Sequence, residues 1–286
     1  MIKVVVFISG GILPVLALAT IPTIFYAFMQ SNMEYAISLI VLALLTISIS
    51  YLIRKFVLPT RQLTTIQGFG AVGLSWIFMS LYGTIPYVLS GIDLSYTNIF
   101  FETVSGLTTT GSSILTDIEA VDKSLLIWRS TTQWLGGMGV IVLTITILPL
   151  LGSGGINLFK AESPGPSADR LTPKFKDTAK LLWIVYISLT ILETILLYYS
   201  GLNIFDAFNH SLTTLSTGGF STFNTSVSEF STLSKFIINI FMYLAGTSFI
   251  LLLKTIRSRS FSEFFKSTEF MFYSFMVIST TIIFLF

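Results

Sequence analysis

Two short runs in this chain set oxygen-bearing side chains beside glycine within otherwise apolar sequence: Thr108-Thr109-Thr110-Gly111-Ser112-Ser113 and Ser216-Thr217-Gly218-Gly219-Phe220-Ser221. Serine and threonine residues offer hydroxyl and carbonyl oxygens, neither carrying a full charge. A dehydrated monovalent cation needs several such oxygens at once, whereas carboxylates bind too tightly for fast release. Gly111 and Gly219 permit positive φ, so that consecutive carbonyls can face one axis. The candidate ion ligands are therefore Thr108, Thr109, Thr110 and Gly111 in the first run, and Ser216, Thr217, Gly218 and Gly219 in the second. Other chemistry finds little support. There is one His and no Cys, and neither a HExxH metal motif nor a glycine-rich loop ending in Gly-Lys-Ser/Thr is present. No enzyme and no resident cofactor are expected.

The flanking sequence shows how these runs are positioned. Asn98 to Leu107 is apolar but too brief to cross a bilayer as a helix. After the polar run comes a charged bend, then an apolar helix from about Leu125 to Leu151 containing Gly136, Gly137 and Gly139. Two readings fit: a half-helix that dips into the membrane, turns and leads into a spanning helix, or an outer loop poor in charge. Irregular backbone at membrane depth is tolerated only where it is buried in protein or lines a watery path. The duplication favours the re-entrant loop. Shifting the sequence by 108 positions lays Ser216-Thr217-Gly218-Gly219 on Thr108-Thr109-Thr110-Gly111, Phe208 on Phe100 and His210 on Glu102. One further residue of slip brings Leu244-Ala245-Gly246 onto Leu135-Gly136-Gly137. Glu102 and His210, being equivalent, do not form an acid–base pair. Two parallel copies imply an axis along the membrane normal. Each half-helix aims its partially negative C-terminal end at the loop. The glycines of the exit helices read as packing residues.

At 286 residues, 53% hydrophobic and 10% charged, with mean hydropathy +0.83, the chain reads as an all-α polytopic membrane protein. Residues 1–60 supply two N-terminal transmembrane helices, Val4–Met29 and Tyr35–Ile53. Residues 61–152 form a first helix–pore loop–helix repeat, entered through Gly68–Leu89, and 153–176 form a cytoplasmic linker. Residues 177–256 form a second repeat: Thr178–Tyr199 spans, Ile204–Leu215 dips, Thr217–Phe220 turns and Leu233–Leu253 exits. Residues 257–286 begin a third, incomplete repeat. With the N-terminus in the cytoplasm, thirteen Lys and Arg lie inside and only Lys123, Arg129 and Lys235 outside or at the outer ends of helices, so both loops enter from the outer face. Asp93, Glu102, Asp117, Glu119, Asp122, Asp206 and Glu229 then gather outside, either as an acidic vestibule that attracts cations or as solvated loop charges. Glu193, in mid-span, is a functional candidate by default.

Several motifs resemble a known family. Thr109-Thr110-Gly111, Trp128-Arg129-Ser130 and Gln133-Trp134-Leu135-Gly136-Gly137-Met138-Gly139 are similar to the first pore repeat of Trk-type potassium uptake proteins. Ala161-Glu162-Ser163-Pro164-Gly165-Pro166 and Arg170-Leu171-Thr172-Pro173 resemble the connection after it, and His210-Ser211 with Ser216-Thr217-Gly218-Gly219-Phe220-Ser221-Thr222 the second pore segment. The resemblance implies uptake of K⁺ across the cytoplasmic (inner) membrane through four loops, each with a filter glycine. It also implies a cytosolic nucleotide-binding regulatory subunit, and no nucleic acid. On this resemblance the chain reads as the N-terminal half of such a subunit. A second copy or another chain would complete the four-loop pore. The alternative is a non-conducting truncated fragment or assembly partner of a larger cation transporter. Leu244-Ala245-Gly246-Thr247-Ser248 departs from the Gly-Gly-containing run of the family.

Overall fold

The computed structural model describes residues 2–57, 65–139 and 175–285, and among these it contains helices and no strand. The N-terminal elements are α1 (Ile2–Ala19), α2 (Ile21–Met29) and α3 (Met33–Phe56). The first span is thus broken at Thr20, just before Pro22. The Thr20 hydroxyl turns back to the Ala17 carbonyl (2.7 Å) while the proline lacks the amide needed to continue the ladder. α3 is capped by Asn32, carries Glu34 in its first turn and ends on Arg54 and Lys55, charges that complement the helix dipole. Much of its apolar surface, including Ile37, Val41 and Leu44, is exposed, as suits a face turned to lipid.

The first repeat comprises α4 (Thr65–Gly83), α5 (Ile85–Leu89), α6 (Tyr96–Leu107) and α7 (Lys123–Gly137). The second comprises α8 (Phe175–Tyr199), α9 (Ile204–Leu215), α10 (Thr232–Ala245) and α11 (Phe249–Ser258), followed by α12 (Ser262–Lys266) and α13 (Thr268–Leu285). A break at Thr84 before Pro86 repeats the device seen at Thr20 and Pro22. Gly10–Met29, Met33–Phe56, Gly70–Leu89 and Lys180–Tyr199 are long and apolar enough to cross a membrane. The expected exit helix Leu233–Leu253 is not one rod: α10 and α11 meet at 96°. The cause is local. The hydroxyl and amide of Thr247 both turn back to the Leu244 carbonyl, Ser248 is extended, and its carbonyl starts the next helix. Of the expected Leu125–Leu151 helix the described residues reach Gly139. The remainder, with most of the 153–176 linker, lies outside them.

Two apolar cores lie side by side. Leu16, Met79, Tyr87, Ile99 and Trp128 belong to the first, and Tyr186, Leu197, Leu215, Ile238 and Phe241 to the second. α7 joins them. Trp128 Nε1 donates to the Gly83 carbonyl (3.0 Å) in the first core, whereas Trp134 stacks on Tyr186 and donates to Thr190 Oγ1 (3.1 Å) in the second. Nearly every α7 residue is buried, polar Arg129, Thr131, Thr132 and Gln133 included. Such a helix is packed inside protein and not against lipid.

Candidate functional site

The two loops share one backbone design at the 108-residue interval. Ser95 caps α6 by accepting from Asn98 N, and Asn203 caps α9 by accepting from Asp206 N. At the other ends the amides of Thr108, Thr109 and Thr110 return to Val104, Gly106 and Ser105. Those of Ser216, Thr217 and Gly218 return to Leu212, Thr214 and Thr213. Thr109 and Thr217 then take φ of +53° and +56°, and Gly111 and Gly219 both take +77°. A β-branched residue in the left-handed region is a genuine outlier. Finding one in each loop at matched positions marks strain held in place by the surroundings, as functional sites hold it.

The side chains are less uniform than the sequence suggests. Thr108, Thr110, Thr217 and Gly219 are exposed, while Thr109 and Gly111 are half-buried. Ser216 and Gly218 are buried, and the Ser216 hydroxyl donates to the Thr213 carbonyl (3.1 Å), as that of Thr108 does to Val104 (2.8 Å). The loops touch each other: a methyl group on Gly111 would overlap the Gly218 carbonyl. Gly136, read as a packing residue, lets α7 meet the Leu107 carbonyl at the end of α6, and a Cβ there would overlap that oxygen.

Behind the loops lies a buried polar network. Glu102, fully buried, accepts from Arg129 Nε (2.6 Å), Ser113 Oγ (2.9 Å) and the Ile114 amide (3.0 Å). A buried carboxylate is tolerable only when its charge is paired and its lone pairs are filled, as here. His210, its counterpart, contacts Ser221 Oγ through Nε2 (3.0 Å) and the Asp206 carbonyl through Nδ1 (2.8 Å). Ser113 and Ser221 are themselves 108 apart, and their hydroxyls accept from the amides of Leu115 and Phe223. The same brace is therefore built once on a carboxylate and once on an imidazole. Arg129 also donates to the Ser221 carbonyl (2.9 Å) and lies 3.5 Å over the Phe220 ring, and Gln133 Oε1 accepts from the Phe220 amide (3.1 Å).

This geometry adds to two expectations. Arg129, placed by charge counting outside or at the outer end of a helix, is buried within α7. Most of the expected vestibule carboxylates make structural contacts. Asp206 accepts from Thr222 Oγ1 (2.6 Å), and Asp122 caps α7. Asp117 and Glu119 both accept from Asn224, whose side-chain oxygen takes the Ile118 amide (2.8 Å), so the segments after the two glycine-bearing loops are laced together. Glu193 is fully buried, with neither oxygen hydrogen-bonded. Gln133 was visible only as part of a motif. Its position between the loops has no signature in hydropathy, because a glutamine in an apolar helix reads the same wherever it points.

Apolar helices long enough to cross a bilayer, two half-helices that stop short, and two matched glycine-bearing loops between them define a polytopic membrane protein of the re-entrant pore-loop class. Within that class the comparison is specific. The model of the TrkH family, described as cation transport protein, matches residues 31–285, and the chain belongs to this family. It is 34% identical over 273 residues to the Trk system potassium uptake protein TrkH of Halomonas elongata, covering 94% of this chain and 56% of the relative. With TrkH of Escherichia coli K12 it shares 39% identity over 212 residues, 73% of this chain and 44% of the relative. The crystal structure of the potassium transporter TrkH from Vibrio parahaemolyticus superimposes with a TM-score of 0.80 at 28% identity, over 96% of this chain and 56% of that one. The chain spans about half the length of the curated relatives it matches.

Proposed function

We propose that this chain takes part in potassium uptake across the cytoplasmic (inner) membrane, with its N-terminus in the cytoplasm, as part of a pore lined by the two re-entrant loops. The observation that carries the reading is the matched pair of strained turns, Thr109 with Gly111 and Thr217 with Gly219, in a member of a cation transport family. In this reading the backbone oxygens of Thr108–Gly111 and Ser216–Gly219 bind K⁺ as the transported ion, not as a cofactor. Side-chain hydroxyls contribute less, because those of Thr108 and Ser216 already donate to helix carbonyls. Residues 61–152 and 177–256 act as the two pore repeats. Further loops beyond these two repeats complete the pore, and a cytosolic nucleotide-binding subunit regulates the assembly. Support for completion comes from a cavity of about 440 Å³ behind the second loop, lined by Thr217, Gly219, Ile238, Met242, Gly246 and Tyr273 among others. Ile238 and Met242 stand 109 positions after Arg129 and Gln133, the residues on which the second loop rests.

The test is selectivity in the assembled transporter. Gly111→Ser and Gly219→Ser both place a side chain at φ +77° and should weaken preference for K⁺ over Na⁺. Gly111→Ser should do so more, because its Cβ also meets Gly218, whereas Gly219 has open space. An unchanged ion preference in both variants would place the filter elsewhere.

A further inference from the structure

We infer that Arg129 and Gln133 of the first repeat set the shape of the second repeat's filter loop, and through it the ion preference of the pore. This rests on reading the loops as a filter. The two residues stand one helical turn apart on α7, yet beyond Glu102 their partners are in the other repeat: the Ser221 carbonyl, the Phe220 ring and the Phe220 amide. Phe220 directly follows Gly219. A trans peptide is planar, with N–H and C=O pointing in opposite directions, and the described residues contain no cis bond. Holding the Phe220 N–H on Gln133 Oε1 therefore fixes the Gly219 carbonyl to point away from Gln133. Arg129 secures the next turn of chain through the Ser221 carbonyl, with the Phe220 ring pressed beneath its guanidinium plane. The amide of Gln133 also lies against Gly218, so closely that a Cβ would stand 2.5 Å from Oε1 and 2.7 Å from Nε2.

Arg129 is also needed by Glu102, whereas packing alone does not require the glutamine. At the equivalent places on α10 the chain carries Ile238 and Met242, so the helix tolerates apolar residues there. Gln133 is fully buried, and its one hydrogen bond goes to the Phe220 amide of the other repeat. The two side chains are positioning residues: they touch the loop from behind and act through the Gly219 carbonyl.

The experiment measures K⁺ against Na⁺ uptake by the assembled transporter in cells lacking other potassium uptake, with the amount in the membrane and the melting temperature followed for each variant. Gln133→Leu removes the acceptor at similar volume and should reduce the preference for K⁺ by about tenfold, the order of one lost neutral hydrogen bond. Gln133→Glu keeps an acceptor and should recover most of that loss. Arg129→Lys keeps a charge for Glu102 but has no planar face for Phe220; it should reduce the preference with little change in melting temperature. It also serves if Gln133→Leu does not accumulate. Folded Gln133→Leu or Arg129→Lys protein with unaltered preference, where Gly219→Ser loses it, overturns the inference and leaves the filter reading intact. If Gly219→Ser is unaltered too, the filter reading fails and takes this inference with it.

Discussion

Glu102 and Arg129 carry opposite charges in a place that water does not reach, and that decides how substitutions there behave. Removing one partner leaves a lone buried charge, which costs about 3–5 kcal/mol, while replacing both by apolar groups of similar shape costs far less. Glu102→Gln should therefore lower stability sharply. The double variant Glu102→Gln with Arg129→Met should recover part of the loss, as read from thermal unfolding in detergent. A double variant no better than the single one would show that the pair is not coupled. Thr109 and Thr217 invite the opposite experiment. Glycine at either position relieves left-handed strain of about 1–2 kcal/mol, partly offset by the greater backbone freedom of the unfolded chain. Thr217→Gly should hold or raise stability while loosening ion preference, measured by unfolding and by competitive K⁺/Na⁺ uptake. The candidate loops were legible in the sequence because Thr, Ser and Gly recur together at a fixed interval. The brace behind them was not. Arg129 registered as a charge near an outer loop, and charge counting is blind to burial.

At the scale of elements the 108-residue interval reaches into the caps, turns and hydrogen bonds of α6 and α9, and the extra residue of slip appears where Asp122 caps α7 and Ser231 caps α10. These were readable because half-helices too short to cross a bilayer end at polar runs. The bend between α10 and α11 was not, since the short Gly246-Thr247-Ser248 run is compatible with a continuous apolar helix, while in the fold Thr247 and Ser248 redirect the backbone. Helix glycines allow a sharp comparison. A Cβ on Gly136 would overlap the Leu107 carbonyl, and backbone cannot swing aside as a flexible side chain can. Gly136→Ala should destabilise by about 1–3 kcal/mol through overpacking. Gly73, inside α4, has nothing within 4 Å of such a Cβ. Gly73→Ala should instead add about 0.5–1 kcal/mol from helix propensity. Melting temperatures that move in the same direction for both would refute the close approach of α7 to α6.

For the molecule as a whole, the matching of repeats makes the second exit helix a seat. On α7, Arg129, Gln133 and Gly137 receive the loop of the next repeat, and a Cβ on Gly137 would come within 2.8 Å of Ser216 Cα. On α10 the corresponding Ile238, Met242 and Gly246 line the cavity of about 440 Å³. Two loops alone cannot encircle an ion, and exposed loop backbone at membrane depth costs several kcal/mol for each unsatisfied group. The seat should therefore be filled in the working assembly by a further loop, and its apolar lining calls for an apolar contact. Met242→Arg tests this. Met242 is largely exposed, so arginine meets no clash on α10, but it places an unpaired charge where the incoming loop must pack. The variant should still insert, with its melting temperature lowered by the lipid-facing charge, a cost of about 2.5–3.5 kcal/mol at the centre of the bilayer. It should keep the incoming loop off α10 and lose K⁺ uptake by the assembled transporter. A parent chain that conducts K⁺ selectively as a proven monomer, or a Met242→Arg variant that assembles and transports normally, would show that the seat is never occupied.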